Sequence, residues 1–210
     1  MGDSLGMPRQ GVPFCETWYY RIIKHKTNYC FVNNFRRALT TNELSAEDFL
    51  ENYSPQIVIL QVGIVDCAPR YYKNNSLLVK LINVGPDFIR NKFWKLTKRF
   101  KSRISENADV SVDQFKSNLD SYIKRCEREL MEKLIIIKIP APSEALLQKN
   151  PKIRESIEAY NEVINSIKFN GQFMVIDPLR DGSNDDYIED GYHLSKLGSQ
   201  KIFNCLAPLL

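Results

Sequence analysis

A group that takes and returns protons near neutral pH is most often an imidazole, and this chain has two histidines, His25 and His193. His25 stands in Lys24-His25-Lys26 at the end of an amphipathic stretch, which reads as a solvated surface position. His193 closes the run Ile188-Glu189-Asp190-Gly191-Tyr192-His193, three residues after Asp190. On a tight turn that spacing brings the carboxylate onto one ring nitrogen and leaves the other facing outward. The carboxylate then fixes the tautomer and stabilises the imidazolium formed in turnover. Asp-x-x-His also arises where an acid caps a helix beside a surface histidine, so the pair needs a nucleophile to mean more. Ser4, in Gly2-Asp3-Ser4-Leu5, is the candidate.

Gly-Asp-Ser-Leu near the start together with Asp-x-x-His near the end resembles the SGNH, or GDSL, hydrolases, over nearly the whole chain. The resemblance implies a serine esterase in which Ser4 attacks, His193 is the base and Asp190 orients it. It also implies an α/β fold, a flavodoxin-like three-layer α/β/α arrangement with a mostly parallel central sheet. The nucleophile is expected after the first strand and the Asp/His pair on a loop before the last helix. Small acyl esters, often acetyl groups on carbohydrates, are the implied substrates, with no metal and no organic cofactor. An acyltransferase on the same scaffold, or a non-catalytic carbohydrate- or partner-binding module, remain as alternatives.

The middle blocks depart from the family pattern. Where the family places a glycine whose amide helps bind the oxyanion, this chain has Asn33-Asn34-Phe35-Arg36-Arg37-Ala38, and Ala38 takes that position. Gly-x-Asn-Asp becomes Gly63-Ile64-Val65-Asp66, and valine cannot donate a hydrogen bond. Loss of one oxyanion donor costs about 10²–10³ in rate. The expected oxyanion set is therefore the amides of Ser4 and Ala38 with the Gly63–Asp66 segment, the Asp66 amide or an arginine being the substitute for the missing side chain. Two arginines, Arg9 and Arg70, follow the ends of these blocks. Ligands bind outside strand C-termini in open α/β sheets, and guanidinium suits carboxylate or phosphate, so both are read as substrate-binding residues favouring an anionic ester. Structural pairing of the two with Asp66, Asp181 or Asp185 is the competing reading.

Short apolar runs alternate with longer amphipathic ones, which predicts a parallel sheet covered by helices. The predicted strands are Tyr29–Asn33, Gln56–Val62, Leu134–Ile139 and Phe173–Ile176. The predicted helices are Phe14–His25, a short one from Ser45, one from Ser111 to about Lys133, Pro151–Phe169 and Ser195–Leu206. Residues 86–104 carry seven Lys or Arg, with Ile89, Phe93, Leu96, Phe100 and Ile104 at three- and four-residue spacing. This predicts a basic amphipathic helix whose charged face is solvated, or makes peripheral contact with a membrane or an anionic glycan.

Hydrophobic content of 43% and charged content of 26% exclude a disordered or low-complexity chain, and the 210 residues suit one domain spanning 1–210. A net charge of +4 without a base-reading motif argues against nucleic acid as partner. Five cysteines with no Cys-x-x-Cys pair read as structural thiols in a reducing compartment, and no apolar leader precedes Gly2, so a cytoplasmic location is expected. Only Met1-Gly2-Asp3 precede Ser4, too little for the buried strand that should support a nucleophile. A natural reading frame that begins a few apolar residues upstream is therefore expected.

Overall fold

A computed structural model describes residues 1–68 and 108–210. Arg70 and the basic stretch 86–104 lie outside the described residues. Three parallel strands form the sheet: β1 (Ile57–Gln61), β2 (Lys133–Ile137) and β3 (Gln172–Ile176), in that spatial order. Their register runs from Ile57 opposite Lys133 and Lys133 opposite Gln172 up to Gln61, Ile137 and Ile176. β2 is central and its Leu134–Ile137 are buried, as the unbroken apolar run requires of a strand covered on both faces.

Helices supply those covers. They are α1 (Trp18–His25), α2 (Thr41–Ala46), α3 (Phe49–Tyr53), α4 (Ile64–Cys67), α5 (Val112–Arg128), α6 (Glu144–Lys149), α7 (Ile153–Ser166) and α8 (Lys196–Leu206). α1 packs on α8, while α5 packs on both α2 and α7, giving helical layers on the two sides of the sheet. On α5, Phe115, Leu119, Tyr122, Ile123 and Cys126 recur at three- and four-residue spacing and all are buried. This is the expected α/β architecture with a parallel sheet.

Several boundaries differ from expectation for local reasons. Thr17 caps α1 by accepting from the Tyr20 amide, so Phe14–Glu16 is a separate 3₁₀ turn. The helix expected from Ser45 starts earlier, at a capping box between Thr40 and Glu43, and a second short helix follows it. α5 ends at Arg128, because Leu130 takes a left-handed φ of 53° and leaves its side chain in solvent. The stretch expected as a strand at Tyr29–Asn33 forms no ladder; a single bridge joins Gly2 to Phe35 just beyond it.

The support of Ser4 is main-chain pairing of the three residues before it, centred on a bridge at Gly2. Gly2 bridges in parallel to both Phe35 and Gln61. The Met1 amino group donates to Ile59 O at 2.7 Å, Gln61 N–H to Met1 O at 3.0 Å, and Asp3 N–H to Gln61 O at 3.0 Å. On the other side Gly2 N–H donates to Asn34 O and Arg36 N–H to Gly2 O. Close approach is what position 2 demands, since a Cβ there would lie 2.5 Å from Gln61 O.

Candidate active site

Ser4 opens a one-turn 3₁₀ helix, Ser4–Gly6, directly after these paired residues. Asp3 caps the turn by accepting from Leu5 N–H at 2.9 Å. As the first residue of the turn, Ser4 has an amide with no partner inside it. The side chain is buried, and its Oγ lies 3.1 Å from His193 Nε2 across 189 residues of sequence.

His193 sits on the loop ahead of α8. Its Nδ1 lies 2.6 Å from Asp190 Oδ2. The other carboxylate oxygen, Oδ1, accepts from the His193 amide at 2.9 Å and the Tyr192 amide at 3.1 Å. An ionised carboxylate only accepts, so Nδ1 carries the proton and Nε2 is free to take one from Ser4. Burial lowers the His193 pKa, the Asp190 bond and charge raise it, and the positive charges of Arg9 and Arg37 lower it again; the balance lies below the ordinary 6.5. For Asp190 burial acts upward, but the bonds from His193 and Tyr192 outweigh it and hold the carboxyl below its ordinary value.

The loop holding this pair is tied on several sides. Ile188 N–H donates to His193 O and Gly191 N–H to Ile188 O, both at 2.9 Å. Gly191 has φ 86°, a left-handed conformation that lets the chain turn within the two residues between acid and base. Ser143 Oγ donates to Gly191 O at 2.7 Å while accepting from Leu146 N–H, so one hydroxyl caps α6 and pins the loop. Ser195, which caps α8, donates through Oγ to Asp185 O.

Besides Ser4, the expected oxyanion residues fall on the loop ahead of α2 and at the start of α4. Ala38 has φ 55°, the left-handed backbone form that glycine adopts without strain, two residues past the Arg36 amide that bonds Gly2 O. Asp66 lies in α4, fully buried, and its Oδ1 accepts from Thr41 N–H at 2.8 Å and Thr41 Oγ1–H at 2.7 Å. Asn118 Nδ2 reaches Thr41 Oγ1 at 3.0 Å and Asn42 Oδ1 at 2.8 Å. Asp66 thus anchors the loop that carries Ala38. Burial pushes its carboxyl up to about 6 against the two Thr41 bonds, and burial likewise pushes Asp3 up to about 7. Gly63 takes φ 115° with Ile139 packed where a Cβ would stand, and Val65 is buried.

Arg9 is held on a tight turn by reciprocal bonds with Val12, both 2.9 Å. Its Nε is buried and has no hydrogen-bond partner among the described residues. The site residues that sequence reasoning missed are Arg37, Thr41, Asn118 and Ser143. The helix that Ser143 caps, Glu144–Lys149, was not among the predicted ones, and neither the reach of Ser143 to Gly191 nor the bond between Thr41 and Asp66 carries a local signal.

An esterase fold and a serine relay meet here. The chain has the fold of the SGNH/GDSL esterases. It is similar to a variant of an acetyl-xylooligosaccharide esterase from Geobacillus stearothermophilus (16% identity, TM-score 0.64, covering 99% of this chain and 90% of that one). It is also similar to a lipolytic protein of the G-D-S-L family from Desulfitobacterium hafniense (16%, 0.58, 100% and 97%). A third likeness is to a carbohydrate esterase family 3 protein from Talaromyces cellulolyticus (13%, 0.59, 100% and 93%). No protein-family model and no curated protein matches the sequence.

Proposed function

We propose that this protein is a serine esterase that removes small acyl groups, acetyl in the simplest case, from a carbohydrate. The observation that carries the reading is the continuous relay Ser4 Oγ, His193 Nε2, His193 Nδ1 and Asp190 Oδ2, with links of 3.1 and 2.6 Å. Two of the similar structures, an acetyl-xylooligosaccharide esterase and a carbohydrate esterase, support the substrate class.

In this reading Ser4 Oγ attacks the ester carbonyl while its proton passes to His193 Nε2. The alcohol leaves with that proton as the acyl–Ser4 bond remains. Water then attacks the acyl-enzyme, giving its proton to His193, and Ser4 is regenerated as the acid departs. Asp190 steadies the imidazolium in both halves. The oxyanion rests on the amides of Ser4 and Ala38, and the Gly63–Asp66 segment contributes no side-chain donor at Val65, so turnover is slow by about 10²–10³ against a site with that donor. Arg9 and Arg37 place positive charge around His193, which favours an ester whose alcohol carries a carboxylate or phosphate, such as an acylated uronic acid.

The test is hydrolysis of p-nitrophenyl acetate by the wild type, Ser4→Ala and His193→Ala, with labelling by a fluorophosphonate. The expected outcome is wild-type hydrolysis that falls to background in both variants, and labelling that Ser4→Ala abolishes. A folded protein with neither would be a binding module. Labelling without hydrolysis, relieved by an added sugar acceptor, would make it an acyltransferase.

A further inference from the structure

Tyr192 stands outside the relay, yet its ring lies against the ring of His193, with centroids 4.0 Å apart and planes inclined by 37°. Rings that meet edge-on stand further apart than this, so the imidazole overlaps the face of the phenol ring. Neighbouring side chains of an extended chain point to opposite sides. Here the Tyr192 and His193 amides both turn inward onto Asp190 Oδ1, at 3.1 and 2.9 Å, directly after the left-handed Gly191. That curl brings the two rings together. Tyr192 is half-buried against the core, and the His193 side chain is only 5% exposed.

The relay requires His193 to gain a positive charge where much of its surroundings resists one. Burial opposes the cation, and so do Arg9, from the turn beyond Ser4, and Arg37, from the loop ahead of α2. Ser4 reaches Nε2 from its 3₁₀ turn as a neutral hydroxyl. Asp190, on Nδ1, is the ionised group that favours the cation. Tyr192 offers a second source of stabilisation. The face of an aromatic ring carries the negative part of its quadrupole and attracts a cation within about 6 Å of the centroid. A leucine in the same place excludes water equally and has no such face, so it disfavours the imidazolium.

We propose that Tyr192 is a positioning residue of the relay, its ring face backing the His193 imidazole and stabilising the imidazolium by cation–π attraction. The attraction strengthens as Nε2 takes the Ser4 proton and fades as that proton passes to the leaving alcohol. It does so again when water gives up its proton in the second half. The ring face carries the effect and the hydroxyl does not. The effect on rate rests on the esterase reading; the effect on the His193 proton does not.

Three variants of the full chain separate ring charge from ring shape: Tyr192→Phe, Tyr192→Leu and pentafluorophenylalanine at position 192. The fluorinated ring keeps nearly the outline of phenylalanine and loses its negative face. Each is read by kcat for p-nitrophenyl acetate, by the acid limb of kcat/KM, and by an NMR titration of the His193 ring, assigned against His193→Ala. Tyr192→Phe is expected to match the wild type within about twofold, and the leucine and pentafluoro variants to lose about tenfold in kcat. In those two the imidazolium is less favoured, so the acid limb and the His193 titration both move to lower pH. An unmoved titration in both would overturn the proposal. So would full recovery by the pentafluoro ring of what leucine loses, which makes Tyr192 a filler of shape. A loss in Tyr192→Phe as deep as in leucine would assign the effect to the hydroxyl and also overturn it. A wild type without Ser4-dependent hydrolysis would end the esterase reading, and the titration alone would then decide on Tyr192.

Discussion

The two halves of the candidate relay are held in opposite ways. The Asp190–His193 arm is knitted mainly by its own neighbourhood, with the carboxylate accepting the Tyr192 and His193 amides, and a long-range bond from Ser143 to Gly191 O is added to that local closure. The Ser4 arm has almost no local support. Its position comes from main-chain pairing to Gln61 and Asn34–Arg36, far away in sequence, and from packing so close that Gly2 and Gly6 both press on Phe35. The proposed base is therefore set mainly by local turn chemistry and the proposed nucleophile by assembly of the sheet. Damage to the first should change the chemistry with little change in stability, and damage near the second should change both.

Asp190→Asn probes the self-contained arm and carries the largest expected effect. The amide keeps an oxygen for the two backbone N–H groups but cannot accept from Nδ1–H and stabilise imidazolium. We expect kcat to fall by about 10⁴-fold with Tm moved by only a few degrees; a large loss of Tm would place Asp190 in the fold's support as well. Thr41→Val probes the assembled side through the loop of Ala38. Removing the hydroxyl leaves the buried Asp66 carboxyl with one of its two Thr41 bonds, at a cost of about 1–3 kcal/mol in urea unfolding, and kcat should fall in the same variant. Stability lost without loss of rate would separate that loop from the oxyanion.

Ser143→Ala sharpens the contrast from the other direction. It removes a helix cap together with the Gly191 bond, so about 1 kcal/mol of stability should go while kcat falls only severalfold. Arg9→Ala carries the smallest effect and reads as a pH shift. His193 must be neutral to accept a proton, and its pKa sits below 6.5 with Arg9 contributing to the lowering. Without that positive charge the imidazolium is less disfavoured, the pKa rises, and the acid limb of kcat/KM moves to higher pH. An unmoved limb, with anionic and neutral esters equally affected, would remove Arg9 from the site.

How far the sequence could be read follows the same division. Asp190 and His193 were legible because three residues and a glycine suffice to close their turn, and Ser111 and Ser195 were legible as caps because a cap satisfies amides within its own turn. Leu134–Ile137 announced a central strand by being apolar at every position. Tyr29–Asn33 has the composition of a strand, but composition does not supply the neighbour on which a ladder depends. The Thr40–Glu43 capping box was present in the sequence, yet Ser45, five residues after Thr40, offered a second plausible start, and the helix that forms begins at the box and packs on α5. Bonds spanning dozens of residues, Thr41 to Asp66 and Ser143 to Gly191, leave no periodicity to read.

The contact of Asn118 with Thr41 has a mechanical consequence. Asn118 belongs to α5, a seventeen-residue helix whose opposite face is bathed in water. Helix, threonine and buried Asp66 form one linkage, so the posture of the Ala38 turn is an output of how deeply that helix beds down against α2. A push on its wet face would be felt at the Ala38 turn, and in the proposed reading as a change in the grip on the scissile group, with Ser4, His193 and Asp190 left where they are.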